Sequence, residues 1–213
     1  MLRKIVEKTP EEQLQKDLEK LRQRSIELGA TDAKVITADK VIIDERVLAK
    51  CTYPRCPGYG TNANCPPYAM SLDHVRKVLS RFRYAIFIKL EVPAGDIAGA
   101  EAREKNLARP YQRKLAEITA KIEAEAFYSG YHLALAFGNG SCKALFCADV
   151  ECRALVPGQA CPHRLKARSP MEGVGIDAYT MAAKEGWNIY PIGSATSPAE
   201  VPYGLKLALV LVC

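Results

Sequence analysis

The sequence predicts an α/β fold, a single-domain layered sheet with flanking helices and two cysteine-rich metal-binding loops. Along the 213 residues, segments with helical spacing of apolar residues alternate with short apolar runs that favour strands. No linker-like or low-complexity stretch divides the chain, so residues 1–213 are expected to form one domain. The cysteines fall into two groups, each placed between an expected strand and a capped helix.

The first half of the chain predicts two helices and a buried strand. The pattern Thr9-Pro10-Glu11-Glu12 is typical of a helix start, and leucines at three- and four-residue steps follow until Gly29 ends the helix. Residues 33–48 are rich in β-branched side chains and predict β-structure around a polar turn at Ala38-Asp39-Lys40. Ser71 caps a second helix, and the apolar run 84–92 predicts a buried strand.

The second half repeats this alternation. Helical spacing is found over residues 96–108 and 110–128. Ser169 begins another capping pattern, which predicts a helix that ends at Gly186. The remaining expected strands are 131–137, 188–192 and 205–212.

Charge and hydropathy exclude several classes of function. The net charge is +6, from 30 basic and 24 acidic residues that are interleaved along the chain, so no basic stripe predicts nucleic-acid binding. The longest apolar run, 207–213, is far shorter than the roughly 20 residues of a membrane-spanning helix. No apolar stretch follows the N-terminal basic residues as in a secretory signal, and a cytoplasmic protein is expected.

The spacing of the cysteines is repeated. Without an export signal, thiols are expected to stay reduced, and clustered cysteines then indicate metal ligands. Cys51, Cys56 and Cys65 are separated by four and eight residues, with a proline after the third, and Cys147, Cys152 and Cys161 repeat this spacing and its proline. An internal duplication would explain the repeat, and chance is the alternative.

This spacing favours an iron–sulfur cluster over zinc. Structural zinc sites commonly use cysteine pairs separated by two to four residues, and no two-residue pair is present. A cluster is larger than one ion and takes ligands from more widely separated points of a loop. A four-residue gap is also used by plant-type ferredoxins. One or two clusters, of the [4Fe-4S] type, are therefore predicted, with zinc as the alternative.

The two groups predict different sites. Cys142 joins the second group, whose four thiols (Cys142, Cys147, Cys152 and Cys161) can close a cluster completely. The first group (Cys51, Cys56 and Cys65) leaves one iron open, to be filled by Cys213, a non-cysteine group or an exogenous molecule. We interpret Cys213 as a small hydrophobic residue that ends a buried strand.

Other residues near the cysteines suit a metal loop. Glycines and asparagines between Cys56 and Cys65 permit turns that aim backbone N–H groups at anionic sulfur. Arg55, Arg164 and Lys166 would offset negative charge. His163 is the histidine that we consider as a hydrogen-bond donor near a cluster. The two glycines of the stretch 172–177 are expected inside a helix, where close approach to a cysteine loop would explain them.

The joint pattern resembles a known family. Its motifs here are Cys51-x4-Cys56 with Gly58-Tyr59-Gly60, Asn64-Cys65-Pro66-Pro67, Cys142-x4-Cys147-x4-Cys152, and Cys161-Pro162-His163 running on to Gly175-Ile176-Asp177. Over nearly the whole chain these are similar to the small prokaryotic "predicted metal-binding protein" family, a cysteine-rich domain of unknown function. The resemblance implies metal binding through these cysteines in a cytoplasmic prokaryotic protein and does not include Cys213.

Three functions follow as hypotheses. The first is an iron–sulfur protein that transfers electrons to a partner protein or carries out redox chemistry on a small-molecule substrate at an open iron. The alternative is a zinc-binding structural, interaction or metal-delivery module without catalysis. The third is a thiol redox enzyme, which the missing Cys-x-x-Cys pair disfavours. No catalytic residue is assigned.

Overall fold

Four strands form one antiparallel sheet in residues 3–213, the part of the chain that this computed structural model describes. The strand order is β1-β2-β4-β3. Their bounds are β1 Asp32–Thr37, β2 Tyr84–Pro93, β3 Leu135–Phe137 and β4 Tyr203–Leu211. The sequence prediction of a mixed α/β fold is confirmed.

The central pair of strands is long, and one outer strand is short. β2 pairs with β4 from Ala85 opposite Leu211 to Pro93 opposite Tyr203. β3 pairs only with residues 209–211 of β4. The first half of β4 therefore has a strand neighbour on one side only among the described residues, and this free edge lies at the candidate site.

One face of the sheet is covered by two long helices, α1 (Glu11–Glu27) and α6 (Arg109–Tyr128). Leu18 and Ile122 are fully buried in the same hydrophobic cluster as Ile88 and Val210 of the central strands. Because side chains alternate between the faces of a strand, the odd-numbered neighbours pack on the other side.

The other face is covered by two short helices and by loops. Helices α3 (Leu72–Leu79) and α7 (Ala178–Lys184) contribute Val75 and Met181 to a second cluster, which contains Phe87 and Leu209 of the sheet. The Phe87 ring lies 4.9 Å from that of Trp187. Both faces of the sheet are thus buried, which explains why residues 85–88 of β2 and 207–211 of β4 are apolar runs.

The remaining elements are short. The helices are α2 (Glu45–Thr52), α4 (Ala94–Ile97) and α5 (Gly99–Glu104). Single turns are found at Ala38–Lys40, Lys143–Cys147, Arg153–Leu155, Glu172–Val174 and Pro198–Glu200. Among the helices of residues 3–213, none has both the length and the apolar character needed to cross a bilayer.

Several predicted boundaries in the first half are corrected. The β-structure predicted over 33–48 ends at Thr37, and the predicted turn is found at Ala38–Lys40. No second strand follows this turn in residues 41–48, because the Asp44 side chain accepts from the backbone N–H of Arg46 and caps α2. The helix predicted over 96–108 is divided at Gly99, whose φ of +88° is left-handed.

In the second half, two strands and a helix start differ from prediction. The strand predicted over 131–137 begins only at Leu135, and residues 188–192 form no strand. The helix predicted from Ser169 begins at Ala178, after Gly175 adopts a φ of +78° and Asp177 supplies the cap. The glycines of 172–177 thus lie outside the helix.

The order of elements is repeated. Helix, strand, cysteine group, helix and strand follow one another as α1, β1, Cys51–Cys65, α3, β2, and again as α6, β3, Cys142–Cys161, α7, β4. The two β-pairs are neighbours in the sheet. The duplication hypothesis stays a prediction, and this order agrees with it.

Candidate metal centre

The thiols of the first cysteine group lie close together. Cys51 lies in the last turn of α2, and the backbone N–H of Cys56 donates to its carbonyl at 3.1 Å. An ideal Cβ built on Gly58 would lie 3.5 Å from the Cys65 Sγ and 3.7 Å from the Cys56 Sγ. The two sulfurs therefore flank the same glycine, whose missing side chain leaves the space next to both of them open.

Buried amides hold this loop. The Asn62 side chain is fully buried, its Oδ1 accepts from the backbone N–H of Asn64 at 3.0 Å, and its Nδ2 donates to Ser141 Oγ at 3.1 Å. Gly60 turns the chain with a φ of +70° and donates from its N–H to the carbonyl of Pro66 at 2.7 Å. The glycines and asparagines thus shape the loop, as their conformational freedom predicts.

The acidity of these thiols is set by burial and by one another. Burial raises the pKa of Cys51 to about 11, and the neighbouring Cys56 adds to the shift. Burial also raises the pKa of Cys65, against hydrogen bonds with Asn62 and Ser141 that lower it. The thiols of Cys51 and Cys65 are therefore protonated at neutral pH when no cation is near, and a metal would bind to them with release of protons.

The second cysteine group also interacts within itself. Cys142 is buried at the start of the turn Lys143–Cys147, and burial raises its pKa to about 11, with smaller contributions from Cys152 and Cys147. The pKa of Cys147 is raised by burial, then by Cys161 and Cys152. The other members of the group are therefore near enough to Cys142 or Cys147 to raise its pKa.

Phe146 places cations and His163 beside the second group. The Lys166 Nζ lies 5.2 Å from the centre of its ring, and the Arg113 guanidinium 5.8 Å. The His163 ring lies 5.6 Å from it, and among the described residues no hydrogen bond joins the His163 side chain to a cysteine. A donor role for His163 stays a prediction.

The two groups adjoin each other. Asn64 Nδ2 donates to the Cys142 Sγ at 3.4 Å, and the Cys142 thiol in turn donates to Asn62 Oδ1 at 3.5 Å. Cys65 lies close enough to Cys142 to raise its pKa. Residues far apart in sequence thus form one continuous cysteine-rich region.

The first group opens on a cavity of about 840 Å³, here called the main cavity. All three thiols line it, and so do Glu172 and Lys206. Glu172 Oε1 accepts from the N–H of Gly140 at 3.0 Å. The Glu172 side chain is exposed to the cavity, and many protein atoms lie around it. Desolvation by these atoms raises the pKa of Glu172, and desolvation also lowers the pKa of Lys206.

Most of the chain matches one known protein family. Residues 34–207 match the family model described as "Predicted metal-binding protein (DUF2284)". The chain belongs to this family. The matched range includes both cysteine groups and ends before Cys213. No curated protein and no solved structure matches the chain.

The family description implies a metal, and the donors fit one. Seven thiols in two interacting groups are soft ligands, which suit iron–sulfur clusters and zinc. Within residues 3–213, no three Cys, His, Asp or Glu side chains stand in the geometry of a ligand set for a single metal ion. The fit therefore rests on the chemistry of the donors and on the space beside Gly58.

Cys213 lies apart from both groups. It follows Val212, beyond the end of β4 at Leu211, and packs against the cluster beneath α1 and α6. Its carbonyl accepts from the N–H of Tyr84 at 3.0 Å. Burial raises the pKa of its thiol. Arg83 lowers this pKa and Glu11 raises it, and no other cysteine is among the causes of the shift. This placement agrees with its interpretation as the end of a buried strand.

Sequence reasoning missed the polar residues of the site. Asn62, Asn64 and Ser141 contact thiols or one another only because two distant loops meet, and no local spacing predicts that meeting. The motif Asn64-Cys65-Pro66-Pro67 was the available signal for one of them. Glu172 belongs to the stretch 172–177, which was noted for its glycines alone, yet its side chain lines the main cavity.

Proposed function

We propose that this chain is an iron–sulfur protein with a four-cysteine site at the second group and a three-cysteine site at the first. It would transfer electrons to a partner protein, or carry out redox chemistry on a small molecule at an open iron of the three-cysteine site. The observation that carries the proposal is that Cys51, Cys56 and Cys65 all line a cavity of about 840 Å³.

The volume of the main cavity favours a cluster over a zinc ion. A structural zinc ion is enclosed by four ligands and needs no open space beside them. Three thiols that face a large cavity suit a larger inorganic group together with a small molecule. The zinc module remains the second candidate, supported by the same soft donors.

The residues of the chain have separate roles in this proposal. Cys142, Cys147, Cys152 and Cys161 would hold one cluster, and the first group the other. A bound cluster supplies one-electron redox chemistry, and an iron without a protein ligand supplies a free coordination position. Asn64 donates to the Cys142 sulfur and would stabilise its negative charge. Glu172 and Lys206 present a carboxylate and an ammonium group to a molecule in the main cavity.

The location and partners are part of the proposal. Free thiols in both groups require a reducing compartment, which supports a cytoplasmic protein. We expect a redox partner protein or a small-molecule substrate, and neither nucleic acid nor membrane as a ligand.

Metal analysis tests the proposal directly. Protein purified without oxygen should be brown, contain roughly equal iron and acid-labile sulfide, and lose its visible absorption on reduction. Cys56→Ser and Cys152→Ser should each remove about half of the iron, because each alters one site. Cys213→Ser is the matched control and should keep all of it.

Two results would contradict this assignment. A colourless protein with stoichiometric zinc would replace the iron–sulfur proposal by the zinc module. Loss of all metal in both Cys56→Ser and Cys152→Ser, with the fold intact by circular dichroism, would mean that the two groups hold a single shared site.

A further inference from the structure

A second, smaller cavity adjoins the main cavity. It has a volume of about 260 Å³, here called the side cavity, and it shares four lining residues with the main cavity: Gln112, Tyr179, Leu205 and Lys206. The shared wall includes the first part of β4, where β3 no longer pairs with it. The side cavity and the main cavity are therefore neighbours, with these four residues between them.

The side cavity is rich in positive charge. Arg103 and Arg109 line its rim, and the half-buried Lys206 lines the wall that it shares with the main cavity. Within residues 3–213, no carboxylate lies within 4 Å of these three cationic groups. The acidic residue in the lining is Asp96, whose Oδ2 accepts from the Tyr111 hydroxyl at 2.7 Å. The cations are thus available to an anion.

The start of helix α6 adds to this field. The helix has 20 residues and begins at Arg109, and its N-cap residue, Ala108, has no capping side chain. The N–H of Arg109 donates to the carbonyl of Asn106 at 3.0 Å, and Pro110 has no N–H. Ala108, Arg109 and Gln112 all line the side cavity. The positive end of a long helix favours an anion, and here it coincides with three cationic side chains.

A buried acceptor without a hydrogen-bond partner lies in the wall of the main cavity. Asn139 is 8% exposed and lines the main cavity. Its Oδ1 has no hydrogen-bond partner among the described residues, while its Nδ2 donates to the carbonyl of Gln112 at 3.5 Å. Buried acceptors are nearly always paired, so a donor group is expected beside Asn139 when the site is filled.

We propose that the side cavity and the main cavity together bind a small organic anion, a carboxylate or a phosphate ester. Its anionic group lies among Arg103, Arg109 and Lys206, and the rest of the molecule passes Gln112 and Asn139 towards the first cysteine group. The approach of its far end to an open iron rests on the proposed function, whereas the binding of the anionic group does not.

Calorimetric titration of the protein as purified tests this inference. The probes are citrate, glycerol 3-phosphate and inorganic phosphate. Citrate represents a carboxylate ligand, and the other two represent a phosphate ligand. The double variant Arg103→Gln/Arg109→Gln should bind the preferred probe about tenfold more weakly or worse, as expected for lost charge-assisted hydrogen bonds. The exposed Arg81 lies at the opposite end of the sheet, and Arg81→Gln is the matched control.

The outcomes separate this inference from the proposed function. Equal affinities in the double variant and in Arg81→Gln, or no binding of any probe, would overturn the anion site, whatever the iron content. Arginine-dependent binding by a protein that contains no iron would support the anion site and overturn the iron–sulfur proposal. Because Arg103 and Arg109 are exposed, the double variant should keep its fold. Lys206→Met is a second variant that removes a charge from the same cationic group.

Discussion

Asn64 of the first cysteine loop donates a hydrogen bond to the thiol of Cys142 in the second, with Nδ2 and Sγ 3.4 Å apart. Its Oδ1 accepts from Ser169 Oγ at 3.3 Å, so the amide orientation is fixed from both sides. One side chain therefore connects the two cysteine groups, and its removal should alter a property of the second group without altering its ligands.

Replacing Asn64 by alanine should lower the reduction potential of a cluster held by Cys142. Hydrogen bonds to ligand sulfurs stabilise the reduced, more negative state, so their loss favours the oxidised state. A redox titration followed by visible absorption measures the potential. Asn188→Ala, at an exposed position, is the control. An unchanged potential in an Asn64→Ala protein with its full iron content would contradict the role of this contact.

Gly58 is the second position at which a small change should act on the metal alone. An alanine Cβ would lie at ordinary contact distance from Cys65 Sγ and Cys56 Sγ, at 3.5 and 3.7 Å, so the fold should tolerate it. The methyl group would fill the space next to both sulfurs, and Gly58→Ala should therefore lose most of the metal of the first group. Iron and sulfide analysis, together with thermal unfolding of the metal-free protein, measures both effects.

The control for this prediction is Gly95→Ala. Nothing lies within 4 Å of a Cβ built on Gly95, so this variant should keep both its metal and its stability. Full metal content in Gly58→Ala would mean that the first group does not hold a metal between Cys56 and Cys65.

The sequence predicts the elements that depend on local pattern and misses those that depend on tertiary contacts. The long apolar run of β2 and the helix α1 were predicted within a few residues because both carry their own pattern. Residues 41–48 favour strands by composition, yet Asp44 begins a helix there, and this helix carries Cys51 towards Glu172. Local propensity is overridden where the chain must deliver a cysteine to the site.

The same distinction holds for the site. The cysteine spacing predicts two groups because the spacing is a property of the sequence itself. In the structure, Cys56 and Cys65 are near enough to Cys51 to raise its pKa, and Cys147 and Cys152 are near enough to raise that of Cys142. That the two groups are metal sites stays a prediction. The hydrogen bond between Asn64 and Cys142, which are 78 positions apart, forms where the two cysteine loops meet in the folded chain. Neither this contact nor the two neighbouring cavities has a signature in local sequence.

Gly175 should be among the positions least tolerant of alanine. Its φ of +78° is left-handed, and a Cβ there would overlap Leu72 Cδ2. We expect Gly175→Ala to lower the free energy of unfolding by about 1–3 kcal/mol for the backbone strain, with a further loss from the overlap. Urea unfolding followed by circular dichroism measures it.

Gly186→Ala separates these two causes. Gly186 has nearly the same φ, +77°, but nothing lies within 4 Å of its Cβ position. It should therefore show the cost of the backbone strain alone. Equal costs at the two positions would mean that Leu72 moves aside without loss of stability and that the overlap contributes nothing.

Asp17 should make the stability of the protein depend on pH. It is buried on α1 and accepts from Tyr131 Oη at 2.7 Å, from Gln13 Nε2 at 2.9 Å and from the guanidinium of Arg3. Burial acts to raise the pKa of Asp17, but the hydrogen bonds from Arg3, Tyr131 and Gln13 outweigh it, so the net shift is downward.

A lowered pKa in the folded state fixes the direction of the pH effect. The contribution of Asp17 is complete above the pKa of the unfolded chain, about 4, and is lost as the pH falls through the lower pKa of the folded state. Asp17→Asn should therefore cost about 2 kcal/mol at pH 7 and progressively less below pH 4, since hydrogen bonds to a charged group are lost. Urea midpoints of both proteins between pH 7 and pH 2.5 measure the difference.

Tyr131→Phe removes one of these hydrogen bonds and should cost about half as much. A difference between Asp17→Asn and the unmodified protein that stays constant over this range would mean that the carboxylate of Asp17 stabilises the fold by its shape and not by its charge.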